Sequence, residues 1–354
     1  MATGTITVVL GNSFDATTKT VTLPVTRNTA GPFTAWLPGA GKIRVGHEVQ
    51  GGFTSSAPWA AKYLGWNPAL GSLTGPRRTG YPSAYHTYLT PQQATVAGAN
   101  AALTGDIDAM QAKGISLLCS IKGAGTFDQT AAGNDDAFFD TMIEGLITRG
   151  HPAILDFHEE PVNDNIGGPS NYEGALAHLI SRVNAAGGQN LIAVTGALGV
   201  GAFPPFGSAV AADWINAVVN AGVLILNTHG YNHGANDKAA STWKTVDQVY
   251  GTFWGVANGI IPASMPKMLG EFNVRDRSTD TTYGPTWLDQ HYSYCLVNNC
   301  QAIFPFNSNA NIEDDPANQG WSWDYYSAVS SPLQPSLATR GPKFAQIMGY
   351  STSV

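Results

Sequence analysis

Charge is scarce in this chain. Lys, Arg, Asp and Glu make up 12% of its 354 residues, about half the usual share, and 18 basic against 25 acidic residues leave a formal charge of −7. No Lys/Arg cluster is present, and without a basic face neither nucleic acid nor an anionic membrane surface is an expected partner. Long apolar runs are missing too. None approaches the roughly 18 residues of a membrane span, which excludes membrane insertion, and Met1 to Thr5 lacks the charged and apolar regions of a classical export signal. Cysteine is rare: Cys119, Cys295 and Cys300 are too few for a disulfide framework and lack zinc-site spacing. Cys295 and Cys300 are near enough in sequence to pair, with reduced thiols as the other reading; Cys119 sits in an apolar run, where a thiol behaves as a small hydrophobe. No Gly-x-Gly-x-x-Gly turn before a helix and no Walker lysine occur, so nucleotide binding has no support.

What the chain does have is apolar residues at 43%, with 40 glycines, 21 prolines and 9 tryptophans. That composition supplies a large core beneath a loop-rich, neutral polar surface. The length suits one large domain with a small appendage. Residues 1 to 40 are the appendage, a β-rich N-terminal extension in which Thr5 to Leu10 and Thr20 to Val25 read as paired strands around a turn at Gly11 to Thr17. It is either a pendant hairpin or an attachment segment to a larger assembly.

From residue 41 to 354 the pattern changes. Short apolar runs begin near Lys42, Arg77, Ile115, Ala153, Asn190, Val223, Pro266 and Gln301, 33 to 43 residues apart. Each leaves room for a helix before the next, and a βαβ unit needs about 30 residues. Eight such units predict an α/β fold, a (βα)8 TIM barrel. The intervening segments agree. Asp135 to Thr148 spaces Phe138, Phe139, Met142, Ile143 and Leu146 as a helix does, with capping side chains at Asn134 to Asp136 and a stop at Gly150. Tyr172 to Asn184 repeats the design. Trp214 and Trp254 fall within helical periodicity and read as core.

In such barrels, functional groups sit at the C-terminal ends of the strands. Those ends carry His47 with Glu48, Tyr81, Lys122, His158 with Glu159 and Glu160, Thr195, His229 with Tyr231 and Asn232, Glu271 with Asn273, and Asn307. Ile154-Leu155-Asp156-Phe157-His158-Glu159-Glu160-Pro161 is the most telling: a buried strand that runs straight into a histidine and two carboxylates. Its counterpart is Glu271, after Met268-Leu269-Gly270. Two glutamates facing each other across a cleft suit glycosidic-bond cleavage, in which one protonates the leaving oxygen and the other attacks the anomeric carbon. Strand alternation would put Glu160 on the face of Asp156 and His158, and Glu159 on the other; a bulge at the strand end would release that constraint, and Glu160 stays open as an alternative acid. His229 and His233 are four apart, but in a glycine-rich loop without a His-Glu-x-x-His helix, so no metal site is read there. Trp287, Trp321 and Trp323 are among the rings able to stack on sugar faces, Trp321 and Trp323 foremost.

His158-Glu159 on its strand resembles the acid/base motif of glycoside hydrolase family 26, the β-mannanase family of the retaining clan A. Pro266-Lys267-Met268-Leu269-Gly270-Glu271-Phe272 resembles that family's nucleophile strand, and His229-Gly230-Tyr231-Asn232 its sixth-strand end. The resemblance implies Glu159 as general acid/base, Glu271 as nucleophile, Tyr231 as partner of Glu271, and His158 as a substrate or acid/base contact, with His229, Asn232 and His47 in support and no cofactor. Leu155 stands where the family usually has arginine, and Phe304 to Asn307 hold no tryptophan. The expected substrate is a neutral polysaccharide, β-mannan or a related β-glycan. A virion-associated depolymerase of a host envelope polysaccharide and a non-catalytic carbohydrate-binding barrel are the alternatives. Either way the chain is expected to act outside the cell, exported by a non-classical route or carried on a virion.

Overall fold

The computed structural model describes residues 3–10, 19–26, 44–45, 48–49, 84–112, 116–164, 166–200, 208–232, 244–274 and 283–307. Strands β1 (Thr3–Leu10) and β2 (Lys19–Thr26) form an antiparallel hairpin with Thr3 opposite Thr26 and Leu10 opposite Lys19.

The remaining strands are β3 (Arg44–Val45), β4 (Glu48–Val49), β5 (Ala84–Leu89), β6 (Ser116–Ile121), β7 (Ala153–Phe157), β8 (Ile192–Thr195), β9 (Ala197–Val200), β10 (Leu226–Asn232), β11 (Lys267–Val274) and β12 (Cys300–Asn307). They make one parallel sheet in the order β8-β7-β6-β5-β4-β12-β11-β10-β9, with β3 also paired to β12. Strands β8 and β9 are separated only by Gly196, so the two ends of that order are halves of one strand and the sheet closes on itself. Counting β3 with β4 and β8 with β9 gives the eight staves of a (βα)8 barrel.

The expected register of elements holds with one displacement. The second stave is β5, beyond Pro82, and the stretch Arg77 to Tyr81 lies outside the described residues. In β5 the inward positions after Ala84, His86 and Tyr88, are polar, which blunts the apolar signature by which strands are recognised. The other staves begin within a few residues of their expected starts.

Helices cover the outside. Asp136–Arg149 buries Phe138, Phe139, Met142, Ile143 and Leu146, and ends at Gly150 with φ 61°, a left-handed cap suited to glycine. Asp135 does not cap this helix as expected. Its carboxylate instead accepts from Thr130 Oγ1 at 2.6 Å and from Ala124 N at 3.1 Å, which ties the helix to the loop after β6. Pro169–Ala185 buries Tyr172, Leu176, Leu179 and Val183, and Val246–Ile260 buries Tyr250, Phe253 and Trp254. These side chains and the outward faces of the strands form one continuous core. Trp214 and Trp254 belong to it, as expected; so does Trp287, 1% exposed, which removes it from the candidate sugar platforms. All three cysteines are buried free thiols, so Cys295 and Cys300 are not paired. Among the described residues no helix is long and apolar enough to cross a membrane.

Candidate active site

Inside the barrel the side chains change character with height. The lowest inward layer is apolar: Ala84, Leu118, Ile154, Ala193, Ile225, Met268 and Ala302 cluster with Phe304. Two residues further along the same strands, where alternation returns to the inside, stand His86, Ser120, Asp156, Thr195 and Asn227, all buried. Thr195 donates to Ile225 O at 2.7 Å, and the other four satisfy one another, as buried polar groups must. Ser120 Oγ lies 2.7 Å from His86 Nε2 and donates to Asp156 Oδ2 at 3.1 Å; Asn227 Nδ2 donates to the same oxygen at 3.2 Å, and Ala197 N to Asp156 Oδ1 at 2.7 Å. Asn227 Oδ1 accepts from Gly270 N at 2.8 Å, and His86 Nδ1 is 3.1 Å from Gly270 O. A Cβ at Gly270 would come within 2.6 Å of the Asn227 amide; only glycine lets the seventh stave approach this layer so closely. Burial favours the neutral form of each ionisable member, raising the pKa of Asp156 and lowering that of His86.

Both candidate glutamates sit just above this layer, each at a break in strand alternation. On β11 the pairing with β10 slips so that Thr228 faces Leu269 while His229 faces Glu271. Gly270 is the extra residue of a bulge. Leu269 and Phe272 therefore both point into the outer core, and Glu271 is freed to face the mouth. On β7 the break is a backbone turn. His158 has φ 49° and Glu160 φ 53°, a left-handed conformation that costs a non-glycine residue roughly 1–3 kcal/mol and clusters at functional sites. The turn sends the His158 ring into the outer core and Glu159 into the mouth.

The two carboxylates then meet. His86, Glu159 and Glu271 present ligating atoms all within 4.8 Å of one another, which puts the glutamates in reach of a single bond between them. Their surroundings differ. Glu271 is held at both oxygens, Tyr88 OH donating to Oε1 at 2.5 Å and Tyr231 OH donating to Oε2. Glu159 has Lys122 Nζ 3.6 Å from Oε1, but its Oε2 is buried with no hydrogen-bond partner. Burial, reinforced by the charge of Glu271, pushes the Glu159 pKa up to about 7, against the opposing pull of His86, Lys122 and His229.

A third carboxylate occupies the same corner. Glu160 Oε1 is 3.4 Å from His229 Nδ1, and Glu271 Oε1 is 3.6 Å from that nitrogen; Asp156 Oδ2 stands 4.0 Å behind Nε2. The ring is thus ion-paired through Nδ1, with neither nitrogen in full hydrogen-bond geometry. Burial opposes a charge on His229, but the surrounding Glu271, Glu160 and Asp156 carboxylates prevail and lift its pKa to about 10.

The structure brings Glu159, Glu160, Glu271, Tyr231 and His229 into one mouth. His158 is not among them, a correction to the expected substrate contact. Its ring is 2% exposed, accepts a hydrogen bond from Gly123 N at 2.8 Å, and packs against Phe127 and Phe157. His158 positions the loop carrying Lys122 instead. Asn232 ends β10, while His47, Trp321 and Trp323 lie outside the described residues. His86, Tyr88, Ser120, Asp156 and Asn227 were not singled out from the sequence as site residues. Period-two alternation in Ala84-Tyr85-His86-Thr87-Tyr88-Leu89 is the signal that marks the first two.

No protein-family model and no curated protein sequence matches the chain. Among solved structures, an endo-β-1,4-glucanase from Xanthomonas axonopodis pv. citri superposes with a TM-score of 0.51 and 13% identity, over 75% of this chain and 88% of that one. A GH5-4 broad-specificity endoglucanase from Clostridium longisporum gives a TM-score of 0.49 at 12% identity over 76% and 87% of the two chains. A ruminal GH26 endo-β-1,4-mannanase gives 0.49 at 12% identity, over 78% of this chain and 61% of its own. The likeness is one of fold, a (βα)8 barrel, and does not single out a family.

Proposed function

We propose that the chain is a retaining glycoside hydrolase in which Glu271 is the nucleophile and Glu159 the general acid/base. The observation that carries this reading is the pair itself: two carboxylates with oxygens within 4.8 Å, in environments that favour opposite charge states. Retaining enzymes hold the two carboxyl groups close, about 5 to 5.5 Å apart, with the second attacking directly and no water between, and a close approach of the two carboxylates supports that reading. Two donating tyrosine hydroxyls suit a carboxylate that attacks as the anion, and a buried, unpartnered oxygen suits a protonated Glu159.

In the first step a Glu271 oxygen attacks the anomeric carbon while the leaving-group oxygen takes the proton from Glu159. In the second, Glu159 removes a proton from water, the water oxygen attacks the same carbon, and the bond to Glu271 breaks. Once Glu271 is esterified its charge no longer raises the Glu159 pKa, and Lys122 favours the ionised carboxylate that the second step needs. The substrate we assign is a neutral β-linked polysaccharide, with β-mannan first among those to be tried on the strength of the motifs around Glu159, Tyr231 and Glu271. The test is hydrolysis of a panel of mannans, glucans and xylans followed by NMR of the fresh product. Retention of anomeric configuration supports the reading; inversion, or release of no reducing ends from any glycan, overturns it.

A further inference from the structure

The double displacement uses two of the three carboxylates in the mouth and leaves Glu160 and His229 without a chemical task. We propose that Glu160, His229 and Glu271 form a binding site for one divalent transition-metal ion of the zinc class, and that its occupancy blocks turnover by engaging the Glu271 carboxylate.

The ligand set is already close to a coordination polyhedron. Zinc bonds to imidazole nitrogen and carboxylate oxygen are about 2.0 to 2.2 Å long, which at tetrahedral angles puts adjacent ligand atoms about 3.3 Å apart. His229 Nδ1 stands 3.4 Å from Glu160 Oε1 and 3.6 Å from Glu271 Oε1, and all three ligand atoms fall within 4.8 Å. The imidazole is the independent sign of a missing ligand. It is 1% exposed, its Nδ1 faces both carboxylate oxygens, and neither nitrogen meets full hydrogen-bond geometry, an imperfect pairing in a dry site that coordination at Nδ1 would replace. Behind it, Asp156 Oδ2 lies 4.0 Å from Nε2. At that distance it makes no hydrogen bond to the ring, and a small shift toward Asp156 on metal binding would supply the far-nitrogen partner that ligating histidines usually have.

The backbone supports the arrangement. Glu160 is held in its left-handed conformation with its N–H donating to Ala197 O at 2.9 Å, and its side chain keeps 29% exposure, so the site opens to the mouth. One nitrogen and two carboxylates favour zinc or its neighbours over calcium or magnesium, which take six or more oxygens. The other triad, His86 with Glu159 and Glu271, lacks a free ring nitrogen, since Gly270 O and Ser120 Oγ engage both. Coordination at Nδ1 takes the neutral imidazole, so any proton held on that nitrogen is released to solvent on binding.

Blocking of turnover rests on Glu271 being the nucleophile; metal binding does not. The experiment is therefore a zinc titration of chelator-treated protein by calorimetry and by competition with a chromogenic chelator, run beside Glu160→Gln and Asp156→Asn. We expect one ion per chain, at least a tenfold loss of affinity in Glu160→Gln, about tenfold in Asp156→Asn, and an X-ray absorption spectrum of the wild-type complex with nitrogen and oxygen neighbours only. No binding by the wild type, unaltered affinity in a folded Glu160→Gln, or sulfur in the coordination shell each overturns the site. The absorption measurement keeps the test decisive should the variants fail to fold. Where glycan hydrolysis is present, zinc at saturating occupancy should abolish it; a zinc-loaded enzyme that turns over normally overturns the blocking. Zinc binding in a chain that cleaves no glycan would instead refute the hydrolase reading and leave the metal site standing.

Discussion

The strand ends that carry Glu159 and Glu271 are built to opposite specifications. The seventh stave is extended by a bulge at Gly270 and delivers its carboxylate to two tyrosine hydroxyls. The fourth ends in two left-handed residues and leaves one oxygen of its carboxylate dry. The same side chain is thus driven toward the anion in one place and toward the acid in the other, by hydrogen bonding against desolvation. The comparison teaches that the proposed acid and nucleophile are distinguished by their supports, not by their own identity.

The sharpest way to break the comparison is to delete each carboxylate. Glu271→Ala should lower turnover by at least about 10⁴-fold, with partial rescue by azide giving a glycosyl azide of inverted configuration. A variant that keeps ordinary turnover removes Glu271 from the role. Glu159→Gln should cost about 10²- to 10⁴-fold on natural linkages, the usual range for general acid catalysis, and much less on aryl glycosides whose leaving group needs no proton. Equal losses on both substrate types would contradict the assignment.

Smaller effects test the supports. Tyr88→Phe and Tyr231→Phe each remove a hydrogen bond to a charged group, about 1.5–3 kcal/mol, so kcat/KM should fall about 10- to 100-fold while the fold, followed by circular dichroism, persists. The smallest effect is in the pH profile of metal-free enzyme. The acid acts protonated, and its pKa is raised to about 7, so kcat/KM should hold below that value and decline above it. Lys122 favours the ionised form; Lys122→Met should therefore shift the alkaline limb upward, and a downward shift would reverse the inferred electrostatics.

Much of this was legible in residue order because it depends on local rules. The repeat of apolar runs and helix-length segments gives the barrel, and isolated glutamates after apolar runs, as at Glu159 and Glu271, mark strand ends with a purpose. The parity conflict at Asp156, His158 and Glu160 was legible as well, and pointed to an irregularity. Its form was not legible. A left-handed φ at His158 and a bulge at Gly270 are set by pairing with neighbouring staves, so the histidine beside the acid, an apparent substrate contact, turns out to be packed against Phe127 and Phe157.

The chain by itself determined the (βα)8 order, the helical faces that cover it and the chemical types available at the mouth, since periodicity and capping act within a few residues. Only the closed barrel decided which of those groups meet. His86, Ser120, Asp156 and Asn227 come from four different staves and become one buried network because alternation places them at one height inside a ring. Tyr88 reaches Glu271 across 183 positions of sequence, and the charge states of Glu159 and His229 follow from neighbours that no local pattern brings together.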